Sequence, residues 1–399
     1  MSANGQRRFA QQRDMTSETT RRIFSRKFIL GCSTQFIFLF VFHILVPTLP
    51  IYLSRSGSSE AEIGVLIGVF FVSSLIFRPF VGRALLGVPE KTFMLAGALL
   101  FALTSLAYLW ARPFWPFFIA RFFQGIGLAL FHTAAYTLIA NVSPQEHRAQ
   151  SLSYFLLAGN ISLAVAPPAG MFIINHFGFT ALFLVCSGIS FSCFYLSTKV
   201  SKAGQPAPSE TPSPSKDSFL SVEALSPSVV GLFNQVIYGA LMAFFPLYAV
   251  NQGIADPGLF FTAVAITLIV ARTFGGKILD LYSKEKLIPM FATTYLVSMA
   301  VLAFSRTLPL FVLVAVIFGI GNAFFSPVVL AYALDRAKTP PGQVVGTYTA
   351  LADLGLGMGP VIMGFVLRFS SYQVMFLCLS LTALISLIYF HFFLRTSRD

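Results

Sequence analysis

A chain of 399 residues that is 56% hydrophobic and only 11% charged cannot coat a globule with water-facing side chains, since soluble domains carry about a quarter charged residues. Its formal net charge of +12 would suit nucleic acid if it were gathered on one patch, but the basic residues follow the apolar pattern, so that partner is excluded. Apolar runs of about 20 residues, each able to cross a hydrocarbon core roughly 30 Å thick, recur along nearly the whole chain and overrule a division into soluble domains.

In chain order, residues 1–27 form a basic tail without the apolar core or cleavage site of a signal peptide, so helix 1 is expected to serve as the insertion signal. Apolar spans follow at about 28–53, 61–81, 92–111, 115–141, 151–174 and 179–198, then at about 226–250, 257–275, 287–305, 309–334, 343–367 and 372–394. The pattern predicts an all-α membrane protein of twelve transmembrane helices. Residues 28–198 form its first six-helix bundle and 226–394 its second. Between them, 199–225 is rich in Pro, Ser and charge and is expected to be a flexible linker. Residues 395–399 are a short tail.

Outside the spans, twenty Lys and Arg fall on the side of the two chain ends, seven of them in the amino-terminal tail; four (Arg55, Arg112, Arg306 and Arg368) fall on the other side. That bias predicts that both termini and the linker are cytoplasmic, in a plasma membrane of the bacterial inner-membrane kind. Cys32, Cys186, Cys193 and Cys378 all lie within spans and lack metal-ligand spacing, so free thiols are expected, with no metal and no cofactor.

The second bundle repeats the first. Arg78-Pro79-Phe80-Val81-Gly82-Arg83 matches Arg272-Thr273-Phe274-Gly275-Gly276-Lys277 at an offset of 194, and Gly125-Ile126-Gly127 matches Gly319-Ile320-Gly321 at the same offset. Pro50-Ile51-Tyr52 matches Pro246-Leu247-Tyr248 at 196, and Ala166-Pro167 matches Gly359-Pro360 at 193. Six helices per half give both halves one orientation, as in transporters that rock two bundles about a midplane site.

These motifs resemble those of the major facilitator superfamily over about residues 28–394. The family's loop motif between helices 2 and 3, G-x-x-x-D-x-x-G-R-K, reappears in the second half with Gly276, Asp280 and Lys284; the first half keeps Gly82 and Arg83 but has Leu86 in place of the acid. Its helix 4 motif R-x-x-Q-G-x-G is Arg121 to Gly127, and Pro144 to Arg148 match the P-x-x-x-R that follows. Its helix 5 motif G-P-x-x-G is Ala166-Pro167-Pro168-Ala169-Gly170, echoed in helix 11 by Gly359, Pro360 and Gly364. The resemblance implies two pseudo-symmetric six-helix bundles, alternating access and no enzymatic activity. It further implies a monomer in the lipid bilayer, with a small molecule and protons as partners.

Charged side chains inside a membrane cost roughly 2.5–3.5 kcal/mol on insertion scales, so each asks for a reason. Arg78 and Arg272 lie about one turn from the cytoplasmic ends of their helices and can snorkel; the resemblance assigns them, with the loop motifs, to a cytoplasmic gate. Arg121 lies about 9 Å below the outer end of helix 4 and must find an interior partner. The family uses this arginine in proton coupling or substrate contact; the alternative is a structural hydrogen-bonding role. Gln124 is one turn on, and His132 three turns on, along the same face.

Helix 1 has no acid, and His43 is its titratable group; it either carries a proton or is a neutral, hydrogen-bonded histidine. Asp353 is the acid well inside a span, at mid-helix 11, with Asn160 as its repeat-mate. It needs a cation, hydrogen bonds or a proton, so a coupling role competes with a static salt bridge. Asn234, Gln235 and Asn322 are candidate substrate contacts, with Gln124 and Asn160. Pro167, Gly170, Gly359, Pro360 and Gly364 are expected to allow close helix packing.

The reading that follows is proton-coupled efflux by antiport, as the helix 5 motif implies in the family. Uptake or facilitated transport of a small anionic or zwitterionic metabolite competes with it, because the helix 1 acid is missing and Arg121 is a deep cation. A membrane-embedded enzyme or scaffold is disfavoured, since no His-x-x-Glu-His-type spacing and no sizeable extramembrane domain occur.

Overall fold

The structure, a computed structural model, describes residues 25–144, 148–200, 221–275 and 278–395, without the side chains of residues 148, 149, 278, 280 and 395. Most of the expected tail and linker, Gly276 and the Asp280 side chain therefore lie outside the described residues, as do 145–147 of the stretch after helix 4.

Helix α1 runs Arg26–Arg55, with the Ser25 hydroxyl accepting from the Phe28 amide, and α2 runs Glu60–Ala84 behind a capping box of Ser59 and Glu62. Glu90–Ala107 is α3 and Trp115–Val142 is α4. The next element, Arg148–Thr198, is 51 residues long, about 76 Å at the helical rise and too long for one crossing. Gly178 divides it at φ 80° and ψ 178°, a conformation that glycine adopts without steric cost. The two legs, 148–177 and 179–198, are α5 and α6. Among the described residues eleven helical elements are long and apolar enough to span, and the division at Gly178 makes them the twelve crossings expected.

The second half repeats the order: α7 is Val222–Asn251, α8 Gly258–Gly275, α9 Lys284–Phe304, α10 Leu308–Arg336, α11 Pro341–Phe369 and α12 Tyr372–Tyr389. A four-residue turn, Ile278–Leu281, joins α8 to α9, and a π-helical turn, Phe390–Arg395, extends α12. Helix α7 starts four residues earlier than the hydropathy suggested, because Ser221 caps it.

Within each half the same neighbours touch. Helices α1 and α5, α2 and α4, and α3 with α4 and α6 pack in the first half; α7 and α11, α8 and α10, and α9 with α10 and α12 pack in the second. Two main seams join the halves, α2 against α11 and α5 against α8, and α1 also touches α7. Both are tightest at the face remote from the chain ends. A Cβ on Gly64 would lie 2.3 Å from the Pro360 carbonyl oxygen, and one on Gly364 would lie 2.6 Å from that of Glu60. Across the other seam the Thr262 hydroxyl donates to the Ala164 carbonyl at 2.6 Å. The two bundles are thus closed against each other on one face of the membrane, through backbone contacts only small residues permit.

Candidate functional site

Arg121 resolves into a dry knot within the first half. It is 4% exposed. Its Nε donates to the Leu66 carbonyl at 3.0 Å, Nη2 to Ile67 at 3.5 Å and Nη1 to Gln124 Oε1 at 2.7 Å. The Tyr108 hydroxyl donates to the same Gln124 oxygen at 2.6 Å, and the guanidinium lies 4.4 Å from the centre of the Phe70 ring. Carbonyl dipoles and a ring face thus stand in for a carboxylate. Arg121 also borders a narrow cavity at the seam with Phe42, Leu49, Phe71 and Met242. Its walls come from α1, α2, α4 and α7, so both halves contribute. Tyr108 was not singled out from the sequence; its place at the end of an apolar span gave no signal.

Arg78 and Asp353 meet as an ion pair across the α2–α11 seam, 275 residues apart in sequence. Arg78 sits six residues before the end of α2, and helical side chains favour leaning back toward the helix amino terminus. That brings it up to mid-α11. The arginine assigned to the gate and the acid assigned to proton coupling are therefore one unit, and both side chains keep partial access to solvent (29% and 19%).

His43 is buried on α1 and its Nδ1 lies 2.9 Å from the Ser162 hydroxyl on α5, inside the first half. His132 stacks edgewise on Tyr136, 4.8 Å between ring centres, within electrostatic range of Arg78 and His43. Sequence spacing put it on the Arg121 face of α4, three turns on.

The second half holds the other polar group. Asn234 on α7 is 3% exposed, and neither its amide nitrogen nor its oxygen has a partner of hydrogen-bond geometry. Beside it Tyr295 of α9, 1% exposed, donates to Asn322 Oδ1 on α10 at 3.4 Å. In front, Arg272 of α8 is exposed, and its Nε donates to the carbonyl of Ala323, the residue after Asn322, at 3.2 Å. Tyr136 and Tyr295 are both within electrostatic range of Arg272. Gln235 and Asn160 are half-buried on α7 and α5. Tyr295 was missed from the sequence, although its repeat-mate is Phe101, so a hydroxyl added to one copy was the available signal.

The remaining motif residues divide by task. Lys284 pairs with Asp335 across α9 and α10 near the membrane surface. Gly82 and Arg83 are exposed at the end of α2. Gly170 and Gly359 bring α5 onto α1 and α11 onto α7: a Cβ on Gly359 would lie 2.2 Å from the Val236 carbonyl oxygen. Pro167 lies against Gly258 on the second seam.

The family model described as Major Facilitator Superfamily matches residues 31–292 and, a second time, 228–399, so the second half is matched on its own as well. The chain is 23% identical to the staphylopine export protein of Staphylococcus aureus over 83% of this chain and 87% of that one. It is 21% identical to the quinolone resistance protein NorA of the same organism, over 84% and 88%. Among solved structures, the nucleoside transporter NupG in its D323A form superposes with a TM-score of 0.77 at 13% identity, covering 92% of this chain and 99% of that one. The peptide-family transporter PepTSo also gives 0.77, at 10% identity, covering 94% and 99%.

Proposed function

The chain belongs to the major facilitator superfamily, and from that premise we propose that it exports a small molecule across the membrane by proton-coupled antiport. In this reading both termini are cytoplasmic, as the twenty-to-four charge bias supports, the membrane is a bacterial inner membrane, and the protein works as a monomer. The names of two relatives, an export protein and a drug-resistance protein, agree with the direction.

One observation carries the coupling: the Arg78–Asp353 ion pair spans the seam that the two bundles open and close. In the conformation seen here the outer face is shut and Asp353 holds Arg78. When the bundles rock outward, α2 and α11 part and Asp353 loses its cation. A lone buried carboxylate is costly, so it takes up a proton from the outside. On return, Arg78 displaces that proton toward the cytoplasm. His132, whose ring packs on Tyr136 and lies within electrostatic range of Arg78, is the group we assign to the proton's exit.

Asn in place of Asp353 imitates the protonated acid permanently. Asp353→Asn is expected to abolish gradient-driven transport in everted vesicles while counterflow exchange continues, since exchange needs rocking but no proton. Active transport unchanged in that variant removes Asp353 from the mechanism. Direction is read in the same vesicles: a substrate-induced collapse of an imposed pH gradient supports export, whereas accumulation by right-side-out cells supports uptake.

A further inference from the structure

The two seams are related by the internal repeat, yet they are chemically unequal. Arg78 on α2 and Arg272 on α8 are repeat-mates at an offset of 194, and Asp353 on α11 and Asn160 on α5 are mates at 193. The backbones follow the same register. Gly64 meets Pro360 across the first seam, and Thr262 meets Ala164 across the second. Counting inward from those contacts puts Asn160 opposite Arg272 as Asp353 is opposite Arg78. One seam therefore has an arginine and an acid; the other has an arginine and an amide. Arg78 reaches across to its acid. Arg272, with no acid among the described residues to reach for, donates to the Ala323 carbonyl of its own half instead.

The remaining intramembrane cations leave Arg272 as the available one. Arg78 is paired with Asp353, and Arg121 is enclosed by α2 carbonyls and Gln124. Among the described residues no carboxylate stands within ion-pair distance of Arg272, and its side chain is exposed.

A second, independent observation lies directly behind it. At the repeat-equivalent place in the first half, Phe38, Phe101 and Phe131 form a dry aromatic stack, with Phe38 4.3 Å from Phe101 and 4.0 Å from Phe131 between ring centres. In the second half Phe38 becomes Asn234, Phe101 becomes Tyr295 and Leu128 becomes Asn322. The Asn234 amide is buried there beside Tyr295 with no partner of good hydrogen-bond geometry, and leaving a buried amide short of its hydrogen bonds is costly. A core that puts amides in place of Phe38 and Leu128, one of them short of hydrogen bonds, is built to meet a polar ligand.

We propose that the transported compound is an organic anion whose carboxylate docks on Arg272 and Asn322, taking the place of the acid that the second seam lacks. Because Asn322 Oδ1 accepts from Tyr295, the Asn322 amide nitrogen is left to donate to the carboxylate, while the apolar wall formed by Phe42, Phe71 and Met242 receives the body of the molecule. This rests on the transporter reading above and specifies its substrate class.

Full-length protein purified in detergent is heated with a matched series on one skeleton: phenylbutyrate, its primary amide and the corresponding amine. The carboxylate is expected to raise the melting temperature, and the amide and amine to leave it unchanged. Arg272→Gln is expected to weaken phenylbutyrate binding roughly tenfold or more, with Arg272→Lys retaining part of it. Asn160→Asp restores the missing acid. It is expected to cost the same binding while the ligand-free protein melts no lower, so it carries the test even if Arg272→Gln does not fold. Stabilisation by the amine, silence of the whole series, or carboxylate binding that survives both substitutions overturns the proposal. Carboxylate-selective binding with no export in vesicles sinks the export reading alone; export with unselective binding sinks this one alone.

Discussion

The two halves share a backbone plan but place their polar chemistry in opposite positions. In the first half the polar group is Arg121, Gln124 and Tyr108, closed on itself by hydrogen bonds of 2.6–3.0 Å; the repeat-mates in the second half are Ala315, Phe318 and Leu302. In the second half the polar group is Asn234, Tyr295 and Asn322, with hydrogen-bonding capacity to spare; its counterparts in the first are Phe38, Phe101 and Leu128. The first group is paired through its guanidinium and the Gln124 oxygen and leaves only the Gln124 amide nitrogen over, whereas in the second both polar atoms of Asn234 lack a partner of hydrogen-bond geometry. Duplication supplied the symmetric frame, and the departures from symmetry carry the specificity.

The largest effect that sharpens this contrast is expected at Arg121. Arg121→Ala leaves Gln124 without its charged donor and opens space beside Phe70, and should lower the unfolding free energy by about 2–4 kcal/mol, read as a fall in melting temperature of the purified protein. A loss of transport with unchanged melting would make Arg121 a working residue and break the comparison. Next come reciprocal swaps of the repeat-mates. Phe101→Tyr puts a hydroxyl into the dry stack and should destabilise by about 1–3 kcal/mol. Tyr295→Phe makes the second half like the first, and should change stability by less than about 1 kcal/mol while transport falls. Equal stability losses from both swaps would mean the two clusters do the same structural job. The smallest effect is at Lys284→Ala: its partner Asp335 is 59% exposed, and such a pair contributes about 0.5 kcal/mol or less.

Much of this was legible in the sequence because the bilayer reads a local code. Each span declared itself by about 20 apolar residues, and the break between α5 and α6 fell at a glycine between two such runs. Arg121 with Gln124 was legible for the same reason, since three residues along a helix are neighbours whatever the tertiary fold. His132 was placed by that argument on the Arg121 face of its helix; only tertiary structure showed its ring against Tyr136. Tyr295 stayed hidden among 13 tyrosines and 45 phenylalanines because composition does not say which ring lacks a stacked partner.

Hydropathy and charge by themselves determined the twelve crossings, the repeat and the expected orientation, because lipid and its surface potential act on each segment separately. That Arg78 belongs to Asp353, and Arg272 to no acid among the described residues, was decided only by tertiary structure. Those partners lie on different bundles, and the register that brings one pair together is set by where glycines let α2 and α11 touch, a property of two packed surfaces that no single helix carries.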